Sequence, residues 1–254
     1  MKKKTITNIC FFVLVISFSV LLVTSSILNS VYDLSFYEKQ FDSLEKVRAV
    51  NPFEKTLMVL CYFENDNEYI DQSSVVFLDE KFESGEIEHL KDVKLVFFVI
   101  SFAYDVSLIV SIITLGLALF MIFFHGKKEK QGYFLRKFFL KSLGYSGILV
   151  ILVFGILGLG AYFSYDFIFD KLHELLFRDG SWIFSENSLL IKLYPYQFFN
   201  NFFWKIIKDL FLRVGLLLVL WILMLFEFIM YVNRLAFQKT MEQKKKMTKQ
   251  FQDE

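Results

Sequence analysis

Four apolar runs in this sequence are each long enough to cross a lipid bilayer. A spanning helix needs about 20 apolar residues at about 1.5 Å each. The runs cover residues 9–28, 95–124, 143–163 and 210–232. Over the whole chain 55% of the 254 residues are hydrophobic, which is more than an ordinary soluble domain carries. We therefore predict an all-α integral membrane protein with four transmembrane helices.

The first run follows three lysines, as the apolar part of a secretory signal peptide does. A signal peptide, however, has an apolar core of about 7–15 residues, and this run is longer. We therefore expect a retained transmembrane helix.

The distribution of charge predicts the orientation of the four helices. Residues 125–142 carry six Lys or Arg against one Glu, and 234–254 carry six against three acids, whereas 29–94 carry fifteen acids and seven bases. Cytoplasmic flanks of membrane helices collect Lys and Arg. The predicted cytoplasmic parts are 1–8, 125–142 and 233–254. The first connecting segment (29–94) and the second connecting segment (164–209) are then predicted to form a small, mainly helical extracytoplasmic domain.

Within the first connecting segment, "NPFEKTLMVLCYFE" predicts a helix that begins at Pro52, the preferred place for proline in a helix. Cys61 falls on its apolar side with Phe53, Leu57 and Leu60, so we expect Cys61 to pack, with a nucleophile as the alternative. Cys10 lies in a different layer of the membrane and cannot bridge to it. Residues 73–80, "SSVVFLDE", are compatible with a short strand.

The second apolar run is longer than one membrane crossing. Counting 20 residues back from its basic inner end places Asp105 at the outer boundary, and the same count from Arg234 places Arg213 at the same depth. Charged side chains are costly inside a bilayer. We therefore predict that Asp105 pairs with Arg213.

Two of the three histidines are predicted to lie on the extracytoplasmic side, each one turn from a carboxylate. In "GEIEHLKDVK" (85–94), His89 shares a helical face with Glu86 and Asp92. In "DFIFDKLHELLFRDGSW" (166–182), a predicted amphipathic helix that stops at Gly180, His173 follows Asp170 by three residues. The two histidines together predict a shared site. His125 flanks the inner end of the second run and is expected to be structural.

Other motifs narrow the possible functions. The glycines of the third run predict a smooth surface for close helix packing. The sequence has no phosphate-binding glycine loop, no paired-cysteine or HExxH metal motif and no GxSxG elbow. We therefore expect no cofactor, no metal, no nucleotide and no nucleic-acid partner.

Two stretches carry a family resemblance. "EIEHLKDVK" (86–94) and "LHELLFRDGSWIFSENSLLIKLYPYQFF" (172–199) resemble signatures of the lipoprotein intramolecular transacylase family, Lit. The matching positions of the second stretch are His173, Phe177, Trp182, Phe184, Pro195, Phe198 and Phe199. Leu176 and Tyr196 depart from the family pattern, at positions where an aromatic residue and an acid are expected.

The resemblance implies an acyl transfer within one substrate. A bacterial lipoprotein carries a diacylglyceryl group on its N-terminal cysteine, and the enzyme would move the sn-2 acyl chain to the α-amino group of that cysteine. The product would be a lyso-form lipoprotein in the cell membrane of a Gram-positive bacterium. We expect His89 as the general base and His173 as the acid, or the reverse. The predicted supporting residues are Glu86, Asp92, Tyr104, Asp105, Asp170, Trp182 and Arg213.

Three alternatives remain open on the sequence alone. One is a covalent acyl-enzyme at Cys61 or a serine. Another is a lipid-modifying enzyme with a different acyl acceptor. The third is a non-enzymatic membrane scaffold or sensor with an extracytoplasmic partner-binding domain.

Overall fold

The structure of the protein, a computed structural model, describes residues 3–44, 51–64, 81–125, 128–177 and 180–252. Within these ranges the regular structure is all helical, with no strand. Residues 73–80 lie outside the described ranges. The helices are α1 (Lys3–Val31), α2 (Leu34–Ser43), α3 (Pro52–Glu64), α4 (Ser84–His125), α5 (Lys128–Phe163), α6 (Tyr165–Leu176), α7 (Leu189–Leu193) and α8 (Tyr196–Gln252).

Four of these helices are long and apolar enough to cross a membrane. The candidate spans lie within Thr5–Val31 of α1, Ser84–Phe124 of α4, Tyr133–Phe163 of α5 and Tyr196–Lys244 of α8. Each predicted run falls inside one of them. The prediction of an all-α protein with four membrane helices is therefore confirmed.

The four long helices run alternately up and down. On α1, Cys10 and Leu14 pack with Ala118 and Ile122 near the end of α4, so these two helices are antiparallel. Helices α5 and α8 are also antiparallel, because residues later in α5 contact residues earlier in α8. The two connecting segments, α1 to α4 and α5 to α8, therefore emerge at the same end of the bundle.

Serine hydroxyls join α1 to the other three long helices. Ser111 of α4 donates to the hydroxyl of Ser17 (2.9 Å), and Ser146 of α5 donates to the carbonyl of Val15 (3.2 Å). Ser26 of α1 donates to the carboxylate of Asp209 on α8 at 2.7 Å. Small polar residues allow close approach of helices in lipid and bond across them. The helix predicted to be a retained anchor is thus the central helix of the bundle.

Arg213 pairs with a carboxylate of its own helix. Its Nε donates to Oδ2 of Asp209 at 2.6 Å, one turn away. Asp105 is exposed and forms no ion pair among the described residues. The predicted pairing of Asp105 with Arg213 is therefore wrong, because residues four apart on a helix are neighbours and Asp209 lies closer.

Part of the predicted glycine surface of α5 packs against α8, whereas a β-carbon at Gly155 would meet no heavy atom within 4 Å among the described residues. A β-carbon added at Gly144 would lie 2.7 Å from the indole nitrogen of Trp221, and one at Gly147 would lie 3.2 Å from Leu218. At the other end of the pair, Gly158 faces Ile207. Residue numbers rise along α5 as they fall along α8, which confirms that the two helices are antiparallel.

Helix α3 begins at Pro52 as predicted, but its buried face overlaps the predicted apolar side only in part, at Phe53 and Leu60. Its buried residues are Pro52, Thr56, Val59 and Leu60, and the hydroxyl of Tyr194 donates to Thr56 Oγ1 at 2.9 Å. Cys61 is exposed. The expectation that Cys61 packs on the apolar side is therefore wrong, because the face that meets the rest of the protein is the one that brings Thr56 to Tyr194.

Helix α4 is much longer than a membrane crossing requires. Its 42 residues make a rod about 63 Å long, against a hydrocarbon core of about 30 Å. Its first turns, 84–94, carry five charged side chains, and transfer of a charged side chain into hydrocarbon costs free energy. The helix is thus longer than one crossing, and His89 lies in its charged first turns.

The carboxylate of Glu86 fixes the start of α4 against the second connecting segment. One oxygen accepts from the backbone N–H of Glu83 at 2.8 Å, which is half of a capping box. The other accepts from the N–H of Leu190, in the first turn of α7, at 2.8 Å. The side chain of Ser188 caps α7 by accepting from Ile191. Glu86 is only 1% exposed, so both of its bonds are formed away from water.

Replacement of Glu86 by Gln is expected to destabilise the protein by about 1–3 kcal/mol, because one of the two backbone N–H groups would then face an amide NH₂ and lose its acceptor. The midpoint of thermal unfolding in detergent measures this. Glu88→Gln is the matched control, since Glu88 is exposed and its loss is expected to change little. Equal midpoints for the two variants would contradict the structural role of Glu86.

Replacement of Arg213 by Gln is expected to lower the free energy of unfolding by about 1–2 kcal/mol, because Asp209, which also accepts from Ser26 of α1, would lose its cation at the contact between α1 and α8. Asp105→Asn is expected to be close to neutral, because that carboxylate has no cation to lose. Thermal unfolding in detergent compares the two variants. A larger effect at Asp105 than at Arg213 would restore the original pairing.

Candidate functional site

Helix α6 holds His173 against the first turns of α8. The helix begins at Tyr165 and ends at Leu176, four residues before the Gly180 at which the sequence predicted its end. Tyr165 packs edge-on against Phe203 (ring centroids 5.7 Å apart), and Phe169 packs against Phe199 at the same distance. These aromatic contacts set the position and rotation of the helix on which His173 lies.

The two predicted histidines both pack against one phenyl ring, that of Phe177. The centroid of the His89 imidazole is 4.7 Å from that of Phe177, and the centroid of the His173 imidazole is 5.4 Å from it. The two imidazoles therefore cannot be further apart than these two distances combined. Residues distant in sequence, one from each connecting segment, meet at one end of the helical bundle.

Aromatic side chains surround the pair. Phe169 lies 3.9 Å from the imidazole of His173, and Trp182 lies 5.9 Å from it on another side. Phe184 lies 5.6 Å from the imidazole of His89. The site thus has apolar walls and two nitrogen-bearing rings, which is the usual composition of a ligand pocket.

His89 is buried, 8% exposed, and its Nδ1 is buried without a hydrogen-bond partner among the described residues. The predicted orienting carboxylates do not bond to it there: both oxygens of Glu86 bind backbone N–H groups, and Asp92 acts on His89 only through its charge. An unpaired buried nitrogen costs about 1–3 kcal/mol and is uncommon in folded proteins. It marks a place where a substrate atom can supply the missing bond.

His173 has a defined tautomer. Its Nδ1 lies 2.8 Å from the carbonyl oxygen of Phe169, one turn earlier on α6. A carbonyl only accepts hydrogen bonds, so Nδ1 carries the proton and Nε2 of the neutral ring has a free lone pair. The exposed carboxylate of Asp170 acts on His173 through its charge.

Burial keeps both imidazoles neutral. It lowers the pKa of His89 to about 4, with the nearby charge of His173 acting in the same direction and that of Asp92 opposing it. Burial also lowers the pKa of His173, against the opposing effects of the Phe169 carbonyl and Asp170. At neutral pH the site therefore holds two uncharged rings, each with one N–H and one lone pair.

Trp182 lies beside the imidazole of His173, but other predicted supporting residues lie far from both histidines. Tyr104 and Asp105 come more than four turns after His89 on α4, or about 22–24 Å along the axis. Arg213 lies about 21 Å along α8 from Phe199, the residue of that helix that packs beside α6. His125 ends α4, about 54 Å from His89.

Three phenylalanines that complete the site were not predicted as site residues: Phe169, Phe177 and Phe184. The chain has 33 Phe, so one phenylalanine in a sequence of this composition carries little information. Two of them, Phe177 and Phe184, appeared only through the family resemblance. Within the described ranges, no group of three or more His, Cys, Asp or Glu could hold a metal ion.

Comparisons with known proteins show the family and the fold. The profile of the family described as lipoprotein intramolecular transacylase Lit matches residues 5–199. The chain is similar to the in meso structure of the membrane integral lipoprotein intramolecular transacylase Lit from Bacillus cereus, with a TM-score of 0.70 and 16% identity over 89% of this chain and 99% of that chain.

Two further structures of the Bacillus cereus protein, with a histidine replaced by arginine or by alanine, match with TM-scores of 0.66 and 0.65. Both are 16% identical to this chain, and the matches cover 89% of it and 95% and 97% of those chains. No curated protein matches the chain significantly. Since the family profile spans well over half of its residues, this membrane protein belongs to the lipoprotein intramolecular transacylase (Lit) family.

Proposed function

We propose that the protein moves the sn-2 acyl chain of a diacylglyceryl-modified lipoprotein from the glyceryl oxygen to the α-amino nitrogen of the same N-terminal cysteine. The observation that carries this proposal is the pair of neutral imidazoles packed against Phe177. Family membership supports the reaction class, and the pair of imidazoles supplies the residues for it.

The reaction needs groups that move protons and little else. The amine attacks the ester carbonyl, a C–N bond forms, and the C–O bond to glycerol breaks. An α-ammonium, with a pKa of about 7.7–8.0, must lose two protons to become an amide nitrogen. One proton goes to the departing glyceryl oxygen and the other to solvent. Because amine and ester belong to one molecule, holding them in contact supplies much of the rate.

His173 is proposed as the general base. Its Nδ1–H is held by the Phe169 carbonyl, which leaves Nε2 free to accept a proton from the attacking amine. The sequence leaves open which histidine is the base, and the choice of His173 has one structural reason. The reason is the tautomer: the hydrogen bond from His173 to the backbone specifies which nitrogen remains basic.

His89 is proposed to donate a hydrogen bond to the ester carbonyl, while the imidazolium formed at His173 returns the proton of the amine to the departing glyceryl oxygen. The low pKa of His89 keeps it neutral, and a neutral imidazole N–H can polarise a carbonyl without a full charge in an apolar pocket. The unpaired Nδ1 supports this role, because a bound substrate would supply the partner that the free protein lacks. Proton transfer of the kind proposed for His173 contributes about 10²–10⁴ in rate.

The site is proposed to face the extracytoplasmic side of the cell membrane, with both termini in the cytoplasm. The basic residues of 125–142 and of the carboxyl-terminal tail support this orientation. The exposed apolar side chains of Phe167 and Leu175 on α6 support a position at the membrane surface. A diacylglyceryl lipoprotein anchored in the outer leaflet would present its ester at this level.

Expression in a bacterial host that lacks N-terminal lipoprotein acylation tests the reaction. Mass analysis of lipoprotein N-termini is expected to reveal lyso-forms with an N-linked acyl chain for the wild type and for His125→Asn, the matched control. The His89→Asn and His173→Asn variants are expected to be expressed at the normal level but to leave the lipoproteins in the diacyl form. Diacyl forms alone from a folded wild-type protein would contradict the proposed reaction.

The covalent alternative predicts a different outcome. Cys61→Ala is expected to retain full activity, because the proposed transfer uses no thiol. An acyl group found by mass spectrometry on Cys61 of trapped wild-type enzyme, together with loss of activity in this variant, would replace direct transfer by a two-step mechanism.

The pH dependence of stability tests whether His89 is neutral. The unfolded chain protonates its histidines near pH 6.5, whereas folded His89 stays neutral down to a pKa of about 4. The contribution of His89 to the free energy of unfolding is therefore complete above pH 6.5 and is lost as the pH falls from about 6.5 to about 4. His89→Gln is expected to lose less stability than the wild type between pH 7 and pH 4.5, measured by thermal unfolding in detergent. Equal losses would mean that His89 titrates normally.

A further inference from the structure

A groove lies between α5 and α8, toward the end of the bundle opposite the two imidazoles. It encloses about 390 Å³, within the range of about 300–1,000 Å³ usual for small-molecule pockets. Its lining consists of Lys137, Leu140, Lys141, Gly144, Tyr145, Ile148, Trp221, Leu225 and Phe228. Apart from two lysines at one end and a tyrosine, this lining is mostly apolar.

The packing of α5 on α8 creates the groove. At Gly144 the absent side chain makes room for the indole of Trp221. Toward the basic end, the guanidinium of Arg136 lies 4.8 Å from the ring of Tyr231, and Tyr133 packs against Phe228 at 5.3 Å. The floor is thus glycine and aromatic surface, and the open side faces outward from the bundle, where Tyr145 and Ile148 are exposed.

The length of the groove matches one leaflet of a bilayer. From Lys137 to Ile148 the helix rises by about 16 Å, and half of the hydrocarbon core is about 15 Å. Lys137 and Lys141 are four residues apart, so both lie on one face, just before the apolar run that begins at 143. The two ammonium groups are therefore at headgroup depth, and the apolar lining is at chain depth.

Among the described residues, no carboxylate pairs with either lysine. Neither forms an ion pair in the part of the chain that the structure covers, where Lys137 contacts only the ring of Tyr133, at 5.6 Å. Two unneutralised cations beside an apolar groove are complementary to an amphiphile with an anionic head.

We propose that this groove binds one anionic phospholipid, with its phosphate at Lys137 and Lys141 and one acyl chain along Gly144, Ile148 and Leu225. The orientation proposed above places this lipid in the cytoplasmic leaflet. The site is separate from the imidazole pair, which lies near the other end of the bundle. The bound lipid would fill the space between α5 and α8 and stabilise their contact.

Native mass spectrometry of the full-length protein in detergent tests the proposal. Phosphatidylglycerol and phosphatidylcholine with identical acyl chains are compared as ligands. The wild type is expected to bind phosphatidylglycerol at least about tenfold more tightly. Lys137→Gln and Lys141→Gln are each expected to weaken binding of phosphatidylglycerol about fivefold and to leave binding of phosphatidylcholine unchanged.

Arg234→Gln is the matched control. The substitution removes one positive charge from α8, at a residue that does not line the groove. The affinity of this variant for phosphatidylglycerol is therefore expected to equal that of the wild type. Equal affinities of the wild type for the two lipids would overturn the proposal. An equal loss in Arg234→Gln and Lys141→Gln would also overturn it, because binding would then follow total charge.

Trp221 provides a readout that does not depend on the lysines. Trp182→Phe and Trp204→Phe together leave Trp221 as the single tryptophan of the chain. Brominated phosphatidylglycerol at low molar ratios in detergent is expected to quench the fluorescence of Trp221. The double variant Lys137→Gln/Lys141→Gln is expected to need at least about tenfold more lipid for the same quenching. Quenching that is identical for brominated phosphatidylcholine would contradict the proposed site.

Discussion

The carboxylate of Glu86 is the constraint on which the geometry of the site depends. Its two oxygens bind the backbone at the start of α4 and at the start of α7, so it joins the two connecting segments of the chain. His89 follows Glu86 by three residues, and Leu190 follows Phe184 by six. A buried carboxylate that accepts two N–H bonds has few alternative positions, because any other arrangement would leave charge or backbone donors unpaired. The register between His89 and the aromatic wall follows from this one side chain.

The electrostatic character of the site follows from its apolar walls. Phenyl and indole rings exclude water from two imidazoles, and exclusion of water favours the uncharged form of each. One neutral imidazole can accept the proton of the amine and return it to the leaving oxygen, while the other donates a hydrogen bond to the carbonyl. Such a pair suits an acyl transfer within one molecule, which has no net redox change and needs proton transfer at two atoms. The serine hydrogen bonds of α1 and the glycine contact of α5 with α8 hold together the helices that support the site. These contacts lie within the helical bundle and not in the site itself.

The sequence predicted the elements of this protein better than their contacts. Apolar run length was sufficient for the four membrane helices, because a bilayer imposes a minimum on each. The two histidines were found because each stood beside carboxylates in a segment of predicted extracytoplasmic location, and the structure brings them to one phenyl ring. The carboxylates themselves were misjudged: Glu86 binds backbone N–H groups instead of His89. One-dimensional spacing cannot distinguish a side-chain partner from a backbone donor contributed by residue 190.

The errors at Arg213 and Cys61 have a related cause. Counting residues from a membrane boundary gives the depth of a side chain but not its direction around the helix. The partner of Arg213 is therefore Asp209 and not Asp105, although Asp105 was assigned to the same depth. The buried face of α3 is likewise decided by Tyr194, more than a hundred residues away. Phe177 shows the same limit, since nothing in the composition separates it from the other phenylalanines.

The coupling between His89 and His173 tests the central claim, that the two rings form one catalytic unit. With purified protein and a synthetic diacylglyceryl lipopeptide, the rate of N-acylation is measured for His89→Asn, His173→Asn and the double variant. Residues that act as a unit are strongly non-additive. Each single variant is expected to lose about 10²–10⁴ in rate, and the double variant is expected to lose little more than the worse of the two. Wild-type rates in either folded single variant, or losses that multiply in the double variant, would contradict a shared site.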